Sequence, residues 1–274
     1  MGIPVAMSCR TLLAALALAG AMLPANAQIA PSKDPTADAL MMSAGFLSGH
    51  PDLRYRLLGL DELKQGNYES ALKFFKRASF YGDKPSQGMV AELLWDSKGV
   101  PRDRPSAYAW IDLAAERGYL GFLSIRERYW AALDDAERKQ ALELGGDIYA
   151  QYGDAAAQPR LDAVLRRERR QVTGSRTGFA GNLKIYIPGP AGFEQIDGSK
   201  FYDLQFWDPQ LYRQWQNSIW MQPRMGKVTV GEAEKVSGTP TASRVPATAP
   251  VSDAKEPETP QKDESGLGTK NPRP

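Results

Sequence analysis

The sequence predicts a mostly α-helical protein: an α-solenoid of helix pairs, followed by a small α+β C-terminal module and a disordered tail. Three observations predict this class. Residues 71–82 are matched by residues 107–118 at an offset of 36, apolar residues within each unit lie three and four positions apart, and the composition changes beyond Gln171 and again after residue 236. With 274 residues, 42% of them hydrophobic, the chain is long enough for one or two domains with a real core.

The charge balance and the scarcity of cysteine and histidine exclude several classes of function. The 34 Lys and Arg residues and 32 Asp and Glu residues leave a net charge of +2, so nucleic acid is not an expected partner. One cysteine and one histidine exclude a disulfide framework, a cysteine-rich zinc site and a multi-histidine metal site. We therefore expect no metal, no cofactor and no catalytic residue.

The first 27 residues have the pattern of a secretory signal peptide. Arg10 precedes an apolar stretch of 12 residues, and Ala25-Asn26-Ala27 provides a small-residue exit, so cleavage before Gln28 is expected. The stretch is shorter than the ~20 residues that a membrane-spanning helix needs. Translation can start at Met1 or at Met7. The mature chain is expected to be cysteine-free, without a transmembrane anchor, secreted across the inner membrane and periplasmic.

Residues 28–48 are predicted to be a partly flexible lead with a weak helix over 38–46, and the helical repeat domain is predicted to span 49–175. Within the repeat, small residues match small ones at Ala71 and Ala107, and an aromatic residue matches another at Phe74 and Trp110. Spacings of 33, 36 and 35 residues separate four glycines that mark the joints between units: Gly49, Gly82, Gly118 and Gly153. This period is that of a helix pair, and stacked pairs bury a continuous core.

One unit carries a recognisable motif. Gly99-Val100-Pro101 is followed by Asp103, by Ala107 with Trp110, and by Ala114-Ala115 and Gly118. In this order and spacing the residues resemble the Sel1-like repeat family, a relative of the tetratricopeptide repeats. The resemblance implies helix pairs that serve as a scaffold for protein contacts, and it brings no catalytic residue with it.

After Trp130 the pattern departs from the repeat, because residues 131–135 are inserted and Gly145-Gly146 falls where a repeat has an aromatic residue. We predict capping helices over 135–152 and 159–171, with Asp134 or Asp135 as an N-cap and Pro159 in a first turn.

Residues 176–236 are predicted to be an ordered, aromatic-rich module that can dock onto the last repeat helices. Strands are predicted at 183–187, 201–207 and 227–230, the first ended by Pro188-Gly189-Pro190, and a helix is predicted to start at Asp208-Pro209. Residues 237–274 contain many prolines and no aromatic residue, so this tail is predicted to be disordered.

The repeat directs the search for binding residues to the first helix of each pair. There Arg54, Gln87 and Arg128 are candidates for lining a groove that binds a partner. Arg166, Arg169 and Arg170 share one helical side, where they either hold a phosphate or carboxylate or are solvated near a helix C-terminus. His50 is expected to be a capping or surface residue rather than a base, since neither a cysteine nor a second histidine can join it in the mature chain.

The function expected from this pattern is a non-enzymatic periplasmic scaffold that binds another envelope protein or peptide. One alternative is a binder of peptidoglycan or anionic envelope glycan, with Trp207, Trp215 and Trp220 as stacking surfaces. The other is an envelope hydrolase that uses carboxylates such as Asp197, Asp203 or Asp208.

Overall fold

A computed structural model of the protein describes residues 43–171, 184–189, 192–197, 201–221 and 242–260. The predicted signal peptide, the lead as far as residue 42, the strand predicted at 227–230 and both ends of the tail lie outside the described residues. The described part of the chain is mostly helical, which confirms the prediction of a mostly α-helical protein. Within that part, no helix is both long enough and apolar enough to cross a membrane.

A short helix and two helix pairs open the described chain: α1 (Ala44–Gly49), α2 (Pro51–Lys64), α3 (Tyr68–Ser79), α4 (Lys84–Asp96) and α5 (Arg104–Ala114). A proline in the first turn begins α2, α4 and α5. Asp83 and Asp103 cap α4 and α5 by accepting the backbone N–H groups of Ser86 and Ser106. The starts of α2, α4 and α5 are thus specified by residues next to them in the sequence.

Glycines in the left-handed region stand at equivalent turns. Gly66 and Gly99, with φ of 79° and 64°, lie in the turns within the two pairs. Gly82 and Gly118, with φ of 81° and 74°, follow the second helix of each pair. Only glycine adopts this conformation without strain, so the chain reverses direction at the same places in both pairs.

The residues matched at an offset of 36 are buried alike. Ala71 and Ala107 are both fully buried within one hydrophobic core, which also holds Phe75 and Ile111. A side chain on Gly59 of α2 would meet the ring of Phe75 at 2.6 Å, so this glycine lets α2 and α3 approach closely. The second helices therefore supply matching core faces, as the apolar spacing predicts.

The third unit departs from the pairs, as predicted. It comprises α6 (Leu120–Ala132) and α7 (Asp135–Tyr152), and α8 (Asp154–Gln171) follows. Asp134 and Glu137 form a capping box at the start of α7, so the predicted cap at Asp134 is confirmed. α7 packs mainly against α5 rather than against α6. Pro159 lies inside α8 and not in its first turn, because the helix begins at Asp154, five residues earlier.

Beyond α8 the described chain contains an antiparallel hairpin and two helices: β1 (Lys184–Gly189), β2 (Gly192–Asp197), α9 (Leu204–Trp207) and α10 (Pro209–Trp220). A strand lies where the first one is predicted, but it continues through Pro188 and Gly189, which were predicted to end it. The strand predicted at 201–207 is wrong, since Leu204–Trp207 is helical, and the partner of β1 is β2, which was not predicted. The helix start at Asp208-Pro209 is confirmed, with Asp208 as the N-cap.

The aromatic residues of the segment 201–221 complete a core with the first helices. Phe201, Phe206 and Trp207 form a buried cluster with Phe46, Leu47 and Leu53 of α1 and α2. A side chain on Gly49 would lie 2.5 Å from the Trp207 ring, so only glycine allows this approach. α9 and α10 also contact α8. The segment therefore docks onto both the first and the last helices.

The prediction that the whole of 237–274 is disordered is wrong for residues 242–260. These residues have no helix or strand, yet Val245 is buried and Val251 donates a backbone hydrogen bond to the carbonyl oxygen of Ala150 at 2.8 Å. Composition alone missed contacts that depend on a few anchoring side chains.

Candidate binding groove

The first helices and the end of α10 enclose a groove of about 1130 Å³. Its walls are formed by α2, α4 and α6, and Trp220 closes one end. The lining is mainly apolar and aromatic: Leu60, Met89, Trp95, Leu120, Phe122, Ile125 and Tyr129. A groove of this composition buries apolar surface of a ligand, which is the main source of binding energy.

Aromatic side chains of neighbouring helices stack on one another along the groove. Trp95 of α4 stacks on Tyr129 of α6 with ring centroids 3.8 Å apart and 10° between planes. Phe122 stacks on Trp220 at 6.4 Å, which ties α6 to α10. Leu120, at 65% exposed, offers an apolar side chain on the rim to solvent. The groove is therefore pre-formed, and a ligand does not have to order it.

Charges of opposite sign lie along the walls. Glu92 and Asp96 of α4 both pair with the exposed Lys98, at 3.4 and 3.0 Å. Arg128 of α6 lies 5.9 Å from the centroid of the Tyr129 ring. Burial and the charges of Asp96 and Glu92 raise the pKa of Tyr129 to about 12. The α4 side of the groove is thus negative, and the α6 side carries a cation.

The three groove residues predicted from sequence have different positions. Arg128 lines the groove. Gln87 does not, because it is fully buried and its Nε2 donates to the carbonyl oxygen of Tyr152 at 3.1 Å. Gln87 precedes the buried Val90 by three residues and therefore shares its inward face. Arg54 is also outside the groove lining, and its guanidinium donates to the Tyr55 hydroxyl at 2.7 Å.

The predicted arginine cluster lies on α8, away from the groove. Arg166, Arg169 and Arg170 are all exposed. Arg166 pairs with Asp162 at 3.4 Å, and Arg169 with Asp208 at 3.6 Å. Exposed pairs of this kind contribute little to stability. The three arginines therefore fit the interpretation of solvated cations near a helix C-terminus.

The three tryptophans predicted as stacking surfaces do not share one face. Trp207 is only 4% exposed, and its Nε1 donates to the carbonyl oxygen of Phe201 at 2.6 Å, so it cannot stack on a sugar. Trp215 packs edge-on against Phe206 with centroids 5.0 Å apart. Trp220 alone of the three lines the groove.

Two of the three carboxylates considered for hydrolysis cap helices. Asp203 and Asp208 are the N-caps of α9 and α10 and accept backbone N–H groups there. Asp197 lies in β2 opposite Lys184. Among the residues that the structure describes, no group of His, Cys, Asp or Glu side chains is arranged to hold a metal ion.

His50 is the C-cap of α1 and the N-cap of α2, so the expected capping position is confirmed, whereas the alternative of a surface position is wrong because the residue is fully buried. Its ring stacks on Phe46 with centroids 3.9 Å apart. Nδ1 and Nε2 lie 2.8 Å from the carbonyl oxygens of Phe46 and Phe206. Burial lowers the pKa of His50 to about 4, against the opposing influence of these two carbonyls and Glu168.

A buried polar cluster, which sequence reasoning missed, lies beside His50. The Tyr212 hydroxyl of α10 donates to Asp52 of α2 at 2.6 Å, and Arg56 pairs with Asp83 at 2.6 Å. Burial and the charge of Asp83 raise the pKa of Asp52 to about 6. The adjoining cavity, about 20 Å³, has room for one water molecule and not for a substrate. The cluster therefore joins α10 to the repeats rather than performing chemistry.

A second ion-pair cluster, which sequence reasoning also missed, includes the aspartate of the second of two Tyr-Gly-Asp sequences, at 81–83 and 152–154. Asp154 pairs with Arg117 at 2.7 Å and with the buried Lys84 at 3.2 Å. Burial alone would raise the pKa of Asp154, but Lys84 and Arg117 outweigh it and hold that pKa below its usual range. These pairs lock α4 and the segment after α5 to the start of α8.

No protein-family model matches the chain, and no match is found among curated proteins or solved structures. We therefore infer the function from the groove between α2, α4 and α6.

Proposed function

We propose that this chain is a secreted, non-enzymatic α-solenoid of Sel1-like helix pairs that acts in the periplasm as a scaffold. Its groove binds a segment of another envelope protein. The observation that carries the proposal is the pre-formed apolar groove, whose volume of about 1130 Å³ exceeds the roughly 300–1,000 Å³ usual for small-molecule pockets.

The solenoid reading is supported by the matched positions in the two complete pairs. Ala71 and Ala107 are buried alike, and Gly82 and Gly118 adopt the same left-handed conformation. The Sel1-like motif residue Asp103 caps α5, and Gly99 lies in the turn before it. The C-terminal hairpin and the helices after it are proposed to be an α+β module that completes the solenoid.

The chemistry of the groove defines the segment that it would bind. Apolar side chains of the partner would cover Met89 and Ile125, as in a helix or an extended peptide laid into a groove. Basic side chains would lie near Glu92 and Asp96. The periplasmic location is proposed from the signal-like residues 1–27 and is tested by release of a chain beginning at Gln28 on osmotic shock.

Site-specific photo-crosslinking in cells tests the groove. A photoreactive phenylalanine analogue replaces Leu120 on the groove rim, and in the control it replaces Leu204 on α9, which is 51% exposed and outside the groove. We expect discrete protein adducts from position 120 that are absent from position 204.

A blocking substitution makes the test specific. Ile125→Glu places a charge in the apolar lining and should remove the adducts formed at position 120. Gln140→Glu adds the same charge on the exposed side of α7 and should leave them unchanged. Circular dichroism checks that both variants are folded. Adducts that are equal at positions 120 and 204, or that survive Ile125→Glu, would refute groove binding.

A further inference from the structure

A second surface of the helices, distinct from the groove, is covered by a segment of the same chain. Residues 242–260, here called the tail segment, contact α3, α5, α6, α7 and α8. We call the surface beneath them the tail channel, and Glu127, Trp130, Gly145 and Ala150 belong to it. This surface is separate from the groove, since none of these four residues lines the groove.

Arg244 is the main polar anchor of the tail segment. Its two terminal nitrogens donate to the two carboxylate oxygens of Glu127 at 2.8 and 2.5 Å. The guanidinium also lies 4.9 Å from the centroid of the Trp130 ring, and Nη1 donates to the Tyr108 hydroxyl at 3.3 Å. A bidentate pair combined with an aromatic face selects arginine over lysine.

Val245 is the apolar anchor and is 7% exposed. A side chain on Gly145 of α7 would lie 2.5 Å from a Val245 methyl carbon, and one on Gly146 would lie 3.3 Å from the Thr248 hydroxyl. Each glycine in a helix interior reduces the stability of the helix by about 1 kcal/mol relative to alanine. The glycine pair thus weakens α7, and it leaves the space that the tail segment occupies.

Both backbone polar groups of Val251, its N–H and its carbonyl oxygen, form hydrogen bonds to the helices. The N–H group of Val251 donates to the carbonyl oxygen of Ala150, which lies in the last turn of α7 and has no partner within the helix. The carbonyl oxygen of Val251 accepts from Arg160 at 2.7 Å. Near the end of the segment, Glu256 accepts from Arg77 at 2.7 Å. The two hydrogen bonds of Val251 involve only its backbone, whereas that of Glu256 depends on its side chain.

The segment is bound as a ligand rather than built in as core. Val245 is the one residue of 242–260 that is buried, and residues 246–253 are exposed between the anchors. Few buried apolar contacts mark a part of the chain that opens at low free-energy cost.

From these contacts we infer that the tail channel is a peptide-recognition site for a segment without helix or strand in which arginine is followed by a β-branched residue, and that residues 242–260 are its ligand within the same chain. Glu127 and Trp130 recognise the arginine. The space over Gly145, here called the Gly145 socket, recognises the residue that follows it. It is displaceable, so the same sequence supplied as a separate peptide takes its place.

A binding measurement on the full-length chain tests this. The double variant Arg244→Ala, Val245→Asp is designed to release the tail segment, because it removes the bidentate pair and places a charge in the Gly145 socket. We call this double variant the released chain. A fluorescent peptide of residues 242–260 with the natural sequence is the probe, read by anisotropy. We expect it to bind the released chain at least tenfold more tightly than the wild-type chain, whose channel is occupied by a tethered competitor.

Two controls make the result specific to Arg244 recognition. Adding Glu127→Ala to the released chain should weaken peptide binding at least tenfold. Adding Glu127→Arg instead should restore binding of a peptide in which Arg244 is changed to Glu. Hydrogen exchange tests the release of the tail segment independently. The Val251 amide should exchange faster in the released chain than in wild type, because it loses its hydrogen bond to Ala150. Equal peptide affinity for wild-type and released chains, or binding unaffected by Glu127→Ala, would overturn the inference.

Discussion

The buried histidine is expected to make folding sensitive to acid. His50 has carbonyl oxygens 2.8 Å from both ring nitrogens, but a neutral imidazole has a single N–H group and can donate to only one of them. Protonation would satisfy both carbonyls, whereas burial opposes the charge and lowers the pKa of His50 to about 4. In the folded protein the ring is therefore neutral at pH 7.

The size of the effect follows from the two pKa values. The unfolded chain takes up a proton at His50 near pH 6.5, and the folded chain does so only near pH 4. Because the folded pKa lies below the unfolded one, stability is lost as the pH falls through this window. At pH 4 the loss is about 3 kcal/mol, since each pKa unit corresponds to about 1.4 kcal/mol.

The variant His50→Phe isolates this contribution, because it keeps a ring stacked on Phe46 and cannot titrate. Urea unfolding followed by tryptophan fluorescence at pH 7, 5 and 4 gives the free-energy difference between wild type and variant. That difference should shift by about 3 kcal/mol in favour of the variant between pH 7 and pH 4. His50 is the sole histidine, so an NMR titration of its ring protons is unambiguous. A folded-state pKa at or above 6.5, or a pH-independent difference, would refute the reasoning and show that the two carbonyls outweigh burial.

Two further substitutions test other parts of the fold. Asp52 has a folded pKa of about 6 against 3.8 in the unfolded chain, so wild type gains about 2 kcal/mol from it as the pH falls from 7 to 4. Asp52→Asn should lose this gain, and its urea-unfolding free energy should fall on acidification relative to wild type. A side chain on Gly99 would meet the Tyr68 ring at 2.4 Å, whereas one on Gly118 would meet nothing within 4 Å. Both glycines have positive φ, so Gly118→Ala should cost about 1–2 kcal/mol and Gly99→Ala clearly more. Equal losses in thermal unfolding would contradict the steric reasoning.

The parts of the fold that could be predicted from sequence are those fixed by near neighbours. The capping box of Asp134 and Glu137 and the cap at Asp208 involve residues within three positions, so their signals survive in the sequence. The alternation of small and aromatic residues around Ala71 and Ala107 depends only on helical periodicity.

The parts that could not be predicted depend on distant residues. Phe201 and Trp207 are read as a strand because aromatic residues favour strands, but their partner is Phe46, far away in the chain. Gln87 looks like a groove residue until the direction of α4 relative to Tyr152 is known. For the tail segment, average composition hides the two residues, Arg244 and Val245, that anchor it.

The groove and the tail channel share one helix, α6. In the complete pairs, Phe74 and Trp110 are buried aromatic residues, and in the third unit Gly145-Gly146 stands at the corresponding place. A side chain on Gly145 would lie 2.5 Å from a methyl carbon of Val245, so this glycine leaves room for the tail segment. Because α7 packs mainly on α5, α6 keeps two sides for other contacts: Ile125 and Arg128 line the groove, and Glu127 binds Arg244. Helix α6 is thus the wall shared by both surfaces.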